Sequence, residues 1–340
     1  MAALRSKFVA GAQAKGADPA TAEEIYRQLA GFAGFGFCKS HAAAFALVAY
    51  QTLYLKAYFP AELFCALLNH QPMGFYPPEV LIGDAKRHGV QVLGPDINAS
   101  QEACTLEQEK GKGMVQGRAI RLGLRYIHGL GEVGQGRVVE RRGETPFASL
   151  VDFCRRTRLL RPAVENLVRA GAMDSFGQAR RELLWALGGL EYQEEGLEID
   201  VPVEQAVLPA LSAEEQMSWE YELMGLAAGD QVTSLYREAL RARGVLSSRE
   251  LDARRDGEVV RVAGWAVVRQ RPPTAKGFLF ITLEDEEGLM NLIVRPDVYQ
   301  QYRTVLRSAP LLWAEARLQR EGSATSLLVT RAAALQTQSR

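Results

Sequence analysis

The spacing of apolar residues changes lastingly near residue 256 of this 340-residue chain. Before that point they recur mostly at three- and four-residue intervals, the period of helices buried along one side. From Glu258 they alternate, the period of half-buried strands. Residues 3–30 read as helices interrupted by GADPATAEE, where Asp18 and Pro19 open the second helix and Glu23 and Glu24 fall in its first turns. Ser40 suits the N-cap of a long helix running to Tyr58 and stopped by Pro60. PAELFCALLN predicts another helix and QPMGFYPPEV a proline-rich turn. VLIGDAKRHGVQVLGPDIN predicts a helix, a stop at Gly89 and a short strand.

Residues 101–123 alternate enough for a hairpin, and 124–190 return to helical spacing. The stretch 191–230 holds a proline-flanked linker, EIDVPVEQAVLPALS, and then a helix in EEQMSWEYELMGL. One more helix with a charged tail fills 231–256. Beyond it, VVRVAGWAVVRQ, FLFITLED and LMNLIVR predict three strands, PDVYQQYRTVL a helix, and LLWAEARLQR and SLLVTRAAAL two further strands. Five strands with a short helix between the third and fourth is the order of an OB-type barrel. The expected fold class is therefore α+β and multidomain.

Composition narrows the function classes. Hydrophobic residues make up 47% and charged residues 24%, ordinary for a globular protein. No uninterrupted apolar run reaches a membrane-spanning length, because Gln51, Lys56, Pro60 and Glu62 break the best candidate. MAALRSKFVAGAQAKGADPATAEEIY lacks a signal-peptide core, so a cytoplasmic, nucleoid-associated location is expected and no membrane partner. Cys38, Cys65, Cys104 and Cys154 are too dispersed for a zinc knuckle and too few for a disulfide scaffold. The histidines, His41, His70, His88 and His128, are equally scattered, and no metal constellation is visible.

The formal net charge of zero conceals a strong segregation. Residues 110–185 hold 15 Lys and Arg against 7 Asp and Glu, whereas 186–230 hold 11 Asp and Glu and no cation. A basic module followed by an acidic one suggests polyanion binding in the first and a spacer or protein-docking role in the second.

Within the basic module, LRYIHGLGEVGQGRVVERR has the helix-hairpin-helix pattern. Leu124 and Ile127 share one helical face, Gly129-Leu130-Gly131 makes the turn, and Val133, Val138 and Val139 continue a second helix. The glycines allow close backbone approach to a phosphate, N–H groups at the second helix start point at it, and Arg137, Arg141 and Arg142 add charge. The alternative is an ordinary helical hairpin. FASLVDFCRRTRLLRPAVENLVRAGAMDSFG suggests a second unit, with Arg155, Arg156, Arg158 and Arg161 clustered at a basic turn; its alternative is a solvated basic corner.

In the strand-rich region, Trp265, Phe278 and Phe280 are candidate base-stacking platforms, although aromatics on strands also build cores. Arg269, Arg271, Lys276 and Arg295 could track phosphates beside them. LEDEEG, residues 283–288, reads as a solvated turn in preference to a metal-binding carboxylate cluster. GFAGFGFCKSHAAAFA, residues 31–46, lacks Walker spacing. It would still place Lys39, Ser40 and His41 near the free N–H groups of a helix start, so a phosphate contact and a packed helix N-terminus both remain open.

GFAGFGFCKSHAAAFALVAYQTLYLKAYFPAELFCALL resembles the fingers signature of bacterial C-family DNA polymerases, the DNA polymerase III α-subunit type. NHQPMGFYPPEVLIGDAKRHGVQVLGPDINAS is similar to the error-prone, translesion branch of that family. The resemblance implies fingers over 1–109, tandem helix-hairpin-helix units over 110–190, an acidic linker with helices over 191–256 and an OB domain over 257–335. It implies that Lys39, Ser40 and His41 approach the incoming nucleotide or template. Gly129, Gly131 and the arginines would hold primer-template duplex, and the barrel single-stranded template.

In that family, palm aspartates bind two magnesium ions, and two-metal phosphoryl transfer needs those carboxylates. The 30 residues before Gly31 offer no DxD pair with a third carboxylate. The chain is accordingly expected to bind no cofactor itself, with Mg²⁺ only in a separate palm-containing segment, and to be inactive alone. MGLAAGDQVTSLYREAL departs from the family's Gly-Leu-Ser and His-Pro linker pattern. No QxxLF-like segment is present either, so direct sliding-clamp contact is doubtful and recruitment through accessory translesion proteins is implied. The competing reading is a non-enzymatic DNA-binding or protein-docking scaffold.

Overall fold

The computed structural model describes residues 2–33, 38–74, 76–108, 118–190, 208–229, 231–322 and 324–335. The glycine-rich residues 34–37, the 109–117 tip of the expected hairpin and the 191–207 linker lie outside the described residues. Two compact units divide between Phe59 and Pro60.

The first unit contains α1 (Ala2–Ala14), α2 (Pro19–Ala33) and α3 (Lys39–Tyr58). Asp18 caps α2 by accepting the Thr21 N–H at 3.0 Å, and Pro19 fits the first helical position because it needs no N–H partner there. Ser40 is not the N-cap of α3. That place falls to Cys38, without a side-chain cap, and Ser40 lies in the first turn with its Oγ 3.0 Å from Cys38 Sγ. No residue of α3 is buried, although most of its residues are apolar. No helix among the described residues is long and apolar enough to cross a membrane.

The second unit opens with α4 (Pro60–Asn69) and α5 (Pro78–Arg87), followed by β1 (Val92–Leu93), β2 (Thr105–Gln108) and β3 (Arg118–Arg121). β3 lies between the other two, antiparallel to β2 and parallel to β1. Then come α6 (Gly131–Arg142), α7 (Leu150–Thr157), α8 (Arg161–Arg169), α9 (Arg180–Gly188) and α10 (Ala213–Met224). One continuous core joins Phe64 and Leu68 of α4, Ile82 of α5, Ile120 of β3, Val138 of α6, Phe153 of α7 and Leu223 of α10. Residues 60–108, expected with the N-terminal helices, therefore pack with the helix-hairpin-helix region. Their apolar faces are completed there.

Short helices α11 (Val232–Leu235) and α12 (Arg237–Ala242) replace the single helix expected over 231–256, and β4 (Val245–Leu246) follows. The barrel comprises β5 (Val259–Gln270), β6 (Leu279–Glu284), β7 (Leu289–Val294), β8 (Leu311–Glu321) and β9 (Ala324–Ala334). Helices α13 (Pro296–Gln301) and α14 (Arg303–Ser308) lie between β7 and β8. Strand order β5-β6-β7-β9-β8 closes through antiparallel pairing of β5 with β8, and β7 runs parallel to β9. This is the OB topology. Val260, Val262, Ile281, Leu283, Leu292, Val294, Leu312, Ala314 and Leu327 alternate into its core, so the two-residue period of the sequence is the inside-outside alternation of the barrel.

Candidate nucleic-acid interface

The hairpin at Gly129-Leu130-Gly131 is held from behind. Gly129 and Gly131 have φ values of 79° and 64°, left-handed conformations that strongly favour glycine. Leu130 between them is buried, and its side chain packs against Gly134, where a Cβ would lie 2.9 Å from Leu130 Cδ1. The carbonyl of His128 accepts from Asn166 Nδ2 of α8 at 3.0 Å, and the His128 N–H donates to the Leu223 carbonyl of α10. The turn is thus fixed by two helices from elsewhere in the chain.

The helix expected before this turn is only a 3₁₀ turn, Leu124–Tyr126. Its ends are tied down: the Tyr126 hydroxyl donates to the Leu68 carbonyl at 2.8 Å, and Gly123 passes so close to Ala103 that a Cβ would lie 2.5 Å from that carbonyl carbon. Leu124 and Ile127 are buried there, as helical-face residues would be.

Helix α6 begins at Gly131 with no side-chain cap, leaving its first N–H groups for an external acceptor. Val133, in the first turn, is 77% exposed, and Glu132 adds one negative charge beside the opening. Arg137, a turn and a half along, is exposed and donates to the Arg158 carbonyl at 3.4 Å. Arg158 is itself exposed in a left-handed conformation that ends α7. The hairpin, Arg137 and Arg158 are therefore neighbours on one surface. Arg141 and Arg155 are exposed, and Arg161 is exposed in an ion pair with Glu165 at 3.0 Å.

Two arginines of the expected set have other work. Arg142 is buried; its Nη1 donates to the carbonyls of Ile97 at 3.1 Å and Ser100 at 2.8 Å, and burial pulls its pKa below the ordinary guanidinium value. Arg156 donates to the carbonyls of Arg141, Arg142 and Thr145, pairs with Asp152 at 3.3 Å and lies 4.4 Å above the Phe147 ring. Arg156 thus closes the end of α6 and Arg142 ties that end to Ile97 and Ser100, so both are corrected to residues engaged within the fold.

The second unit also has a glycine turn that the sequence reading missed, at Gly171 with φ 82°. It is filled from within. Arg180 lies against Gly171, pairs with Asp174 at 2.7 Å and Glu220 at 3.0 Å, and donates to the Arg169 carbonyl at 3.0 Å. The signal was a lone glycine between apolar positions in LVRAGAM; the clustered arginines drew attention to the other end of α8.

On the barrel, Phe280 points outward from β6 and is 38% exposed, opposite Gln270 and Ile293, while Phe278 is half-buried just before that strand. Lys276 is exposed in the preceding turn. Arg271 is exposed with its guanidinium 4.7 Å from the Tyr299 ring, and Arg295 is exposed beside Asp297 at 3.1 Å. Trp265 and Arg269 depart from expectation. Trp265 is half-buried and stacks on Tyr221 of α10, 5.6 Å between centroids and 24° between planes. Arg269 donates to the carbonyls of Leu306, Ala266 and Ala309, binding α14 to β5. Lys39, Ser40 and His41 are exposed in the first turn of α3, with the His41 ring 4.4 Å from that of Phe45. LEDEEG is not a solvated turn, because Glu284 and Asp285 are wholly buried.

A helix-hairpin-helix family model matches residues 89–183, the segment containing both glycine turns. The error-prone DNA polymerase of Anaeromyxobacter dehalogenans strain 2CP-C is 41% identical over 98% of this chain and 30% of that protein. That of Burkholderia pseudomallei is 42% identical over 90% of this chain and 29% of the relative. For Symbiobacterium thermophilum the values are 38%, 99% and 35%. The chain thus spans about a third of the length of these relatives. Over nearly its whole extent it is similar to a segment of the error-prone DNA polymerases, and its own residues 89–183 match the helix-hairpin-helix model.

Proposed function

We propose that this chain is the DNA-holding part of an error-prone polymerase acting in translesion synthesis and repair. The observation that carries the reading is the uncapped α6 start, with Gly129 and Gly131 in left-handed conformations and Arg137 and Arg158 exposed beside it. Backbone N–H groups and flanking guanidiniums suit a phosphate backbone and read no base sequence. The outer face of β6, with Phe280, and the nearby cations Arg271, Lys276 and Arg295 suit the single-stranded template.

Nucleotide addition would come from a separate palm-containing segment that holds the Mg²⁺ ions. Helix α3 supports such a partner, because a mostly apolar helix with no buried residue leaves apolar surface that a larger protein core would cover. Lys39, Ser40 and His41 at its start would then meet the nucleotide or template. The test is a primer-template assay on the purified chain with Mg²⁺ and all four deoxynucleotides. The expected result is a bound but unextended primer. Extension by this chain alone, or failure to bind at low salt, would overturn the reading.

A further inference from the structure

The helical body meets the barrel across buried carboxylates that the DNA-binding reading does not use. Glu284, the last residue of β6, is wholly buried. Its Oε1 accepts from Arg87 Nη1 of α5 at 2.9 Å, while Oε2 is buried with no hydrogen-bond partner. Glycines on both sides make room for it. A Cβ on Gly83 of α5 would lie 2.7 Å from Glu284 Oε1, and one on Gly264 of β5 would lie 2.6 Å from the Glu284 carbonyl oxygen. Beside it, buried Glu79 accepts from the Tyr221 hydroxyl, and the Tyr221 ring stacks on Trp265.

The adjacent Asp285 is buried too, but it is satisfied. It accepts from Ser248 N and Oγ, both at 2.6 Å, and from the N–H groups of Glu287 at 2.9 Å and Gly288 at 2.8 Å. Arg237 of α12 pairs with Asp285 at 3.3 Å and with Glu286. Glu284 has one cation and one empty oxygen. We propose that Glu284 is a proton-operated latch between the helical body and the barrel, closed while its carboxyl is neutral and loosened when it ionises.

The charged surroundings pull in both directions, and burial decides the balance. From α5 come Arg87, Asp84 and Glu79; from α10, Tyr221; beyond β6, Asp285 and Glu286, both engaged by Arg237; β5 places Gly264 and the neutral Trp265 beside it. Burial, with Glu79 and Asp84 adding to it, pushes the Glu284 carboxyl up to about 7 against the opposing pull of Arg87. With the barrel undocked, Glu284 would face water at the ordinary carboxylate value, so docking takes up a proton. The neutral acid's contribution to docking is complete below the ordinary carboxylate range and is lost as pH rises through about 7.

Hydrogen–deuterium exchange on the full chain at pH 6 and pH 8, corrected for intrinsic exchange, tests this. Protection in α5 and around Gly264 and Glu284 should fall about tenfold between the two conditions, with β8 unchanged as the internal reference. Glu284→Gln, neutral at both pH values, should keep the interface protected and remove its pH dependence. If that variant loses β8 protection, Asp84→Asn takes its place: one less negative neighbour should move the transition to lower pH. Equal interface protection at both pH values, dependence that survives Glu284→Gln, or an unmoved midpoint in Asp84→Asn would overturn the proposal.

Discussion

Asn166 of α8 donates to the carbonyl of His128 at 3.0 Å, which ties the second helical unit to the glycine turn of the first. The same Nδ2 would lie 2.6 Å from a Cβ placed on Gly129, whereas a Cβ on Gly131 would meet nothing within 4 Å. The two hairpin glycines are therefore unequal. One is constrained by conformation and by a neighbour, the other by conformation alone.

Gly129→Ala should be the more damaging change, costing on the order of 1–3 kcal/mol of stability through a strained φ and a displaced Asn166. Gly131→Ala should cost about 1 kcal/mol by strain only. Both should weaken duplex binding more than Lys276→Ala, which removes one screened contact. Thermal unfolding and anisotropy with a labelled duplex check the order; equal effects of the two glycine changes would refute the role given to Asn166.

Arg137→Ala and Arg142→Ala should separate binding from folding. Arg137 is exposed, so its loss should leave stability within about 0.5 kcal/mol while lowering the salt slope of duplex binding by about one. Arg142→Ala strands the Ile97 and Ser100 carbonyls and should cost about 2–4 kcal/mol. Chemical denaturation and binding isotherms on the same preparations decide this.

Glu132 sets its carboxylate in the first turn of α6, where a phosphate would approach. Glu132→Gln should raise duplex affinity a few-fold at low salt, and the gain should shrink as salt screens the repulsion. Unchanged affinity would remove that turn from the contact surface.

On the barrel, Phe280→Ala should weaken single-strand binding by about 1–3 kcal/mol without lowering the melting temperature. Trp265→Ala should do the reverse, since its ring is committed to Tyr221 at the join with α10. Single-strand titrations and melting curves on both variants test the pair.

What the sequence made legible follows from the range of the forces involved. The barrel strands were readable because alternation is local: VVRVAGWAVVRQ carries its own inside and outside, and it is β5 from Val259 to Gln270. PAELFCALLN is α4 for the same reason, with Pro60 at its start and one buried face. Neighbouring Arg141 and Arg142 could not be told apart by charge, because carbonyls more than forty residues away decide which of them is buried. Likewise, LEDEEG looks solvated until Arg87 and Ser248 arrive from distant segments. Gly171 escaped notice because its partner Arg180 closes the turn through space.

The most direct test of the central claim is a titration of labelled primer-template with the purified chain at 50 mM and 200 mM salt. The account predicts sequence-tolerant binding whose affinity falls steeply, by roughly tenfold or more, as about two or more phosphate contacts release their counterions. Binding that is absent at the lower salt, or equally tight at both, would contradict it.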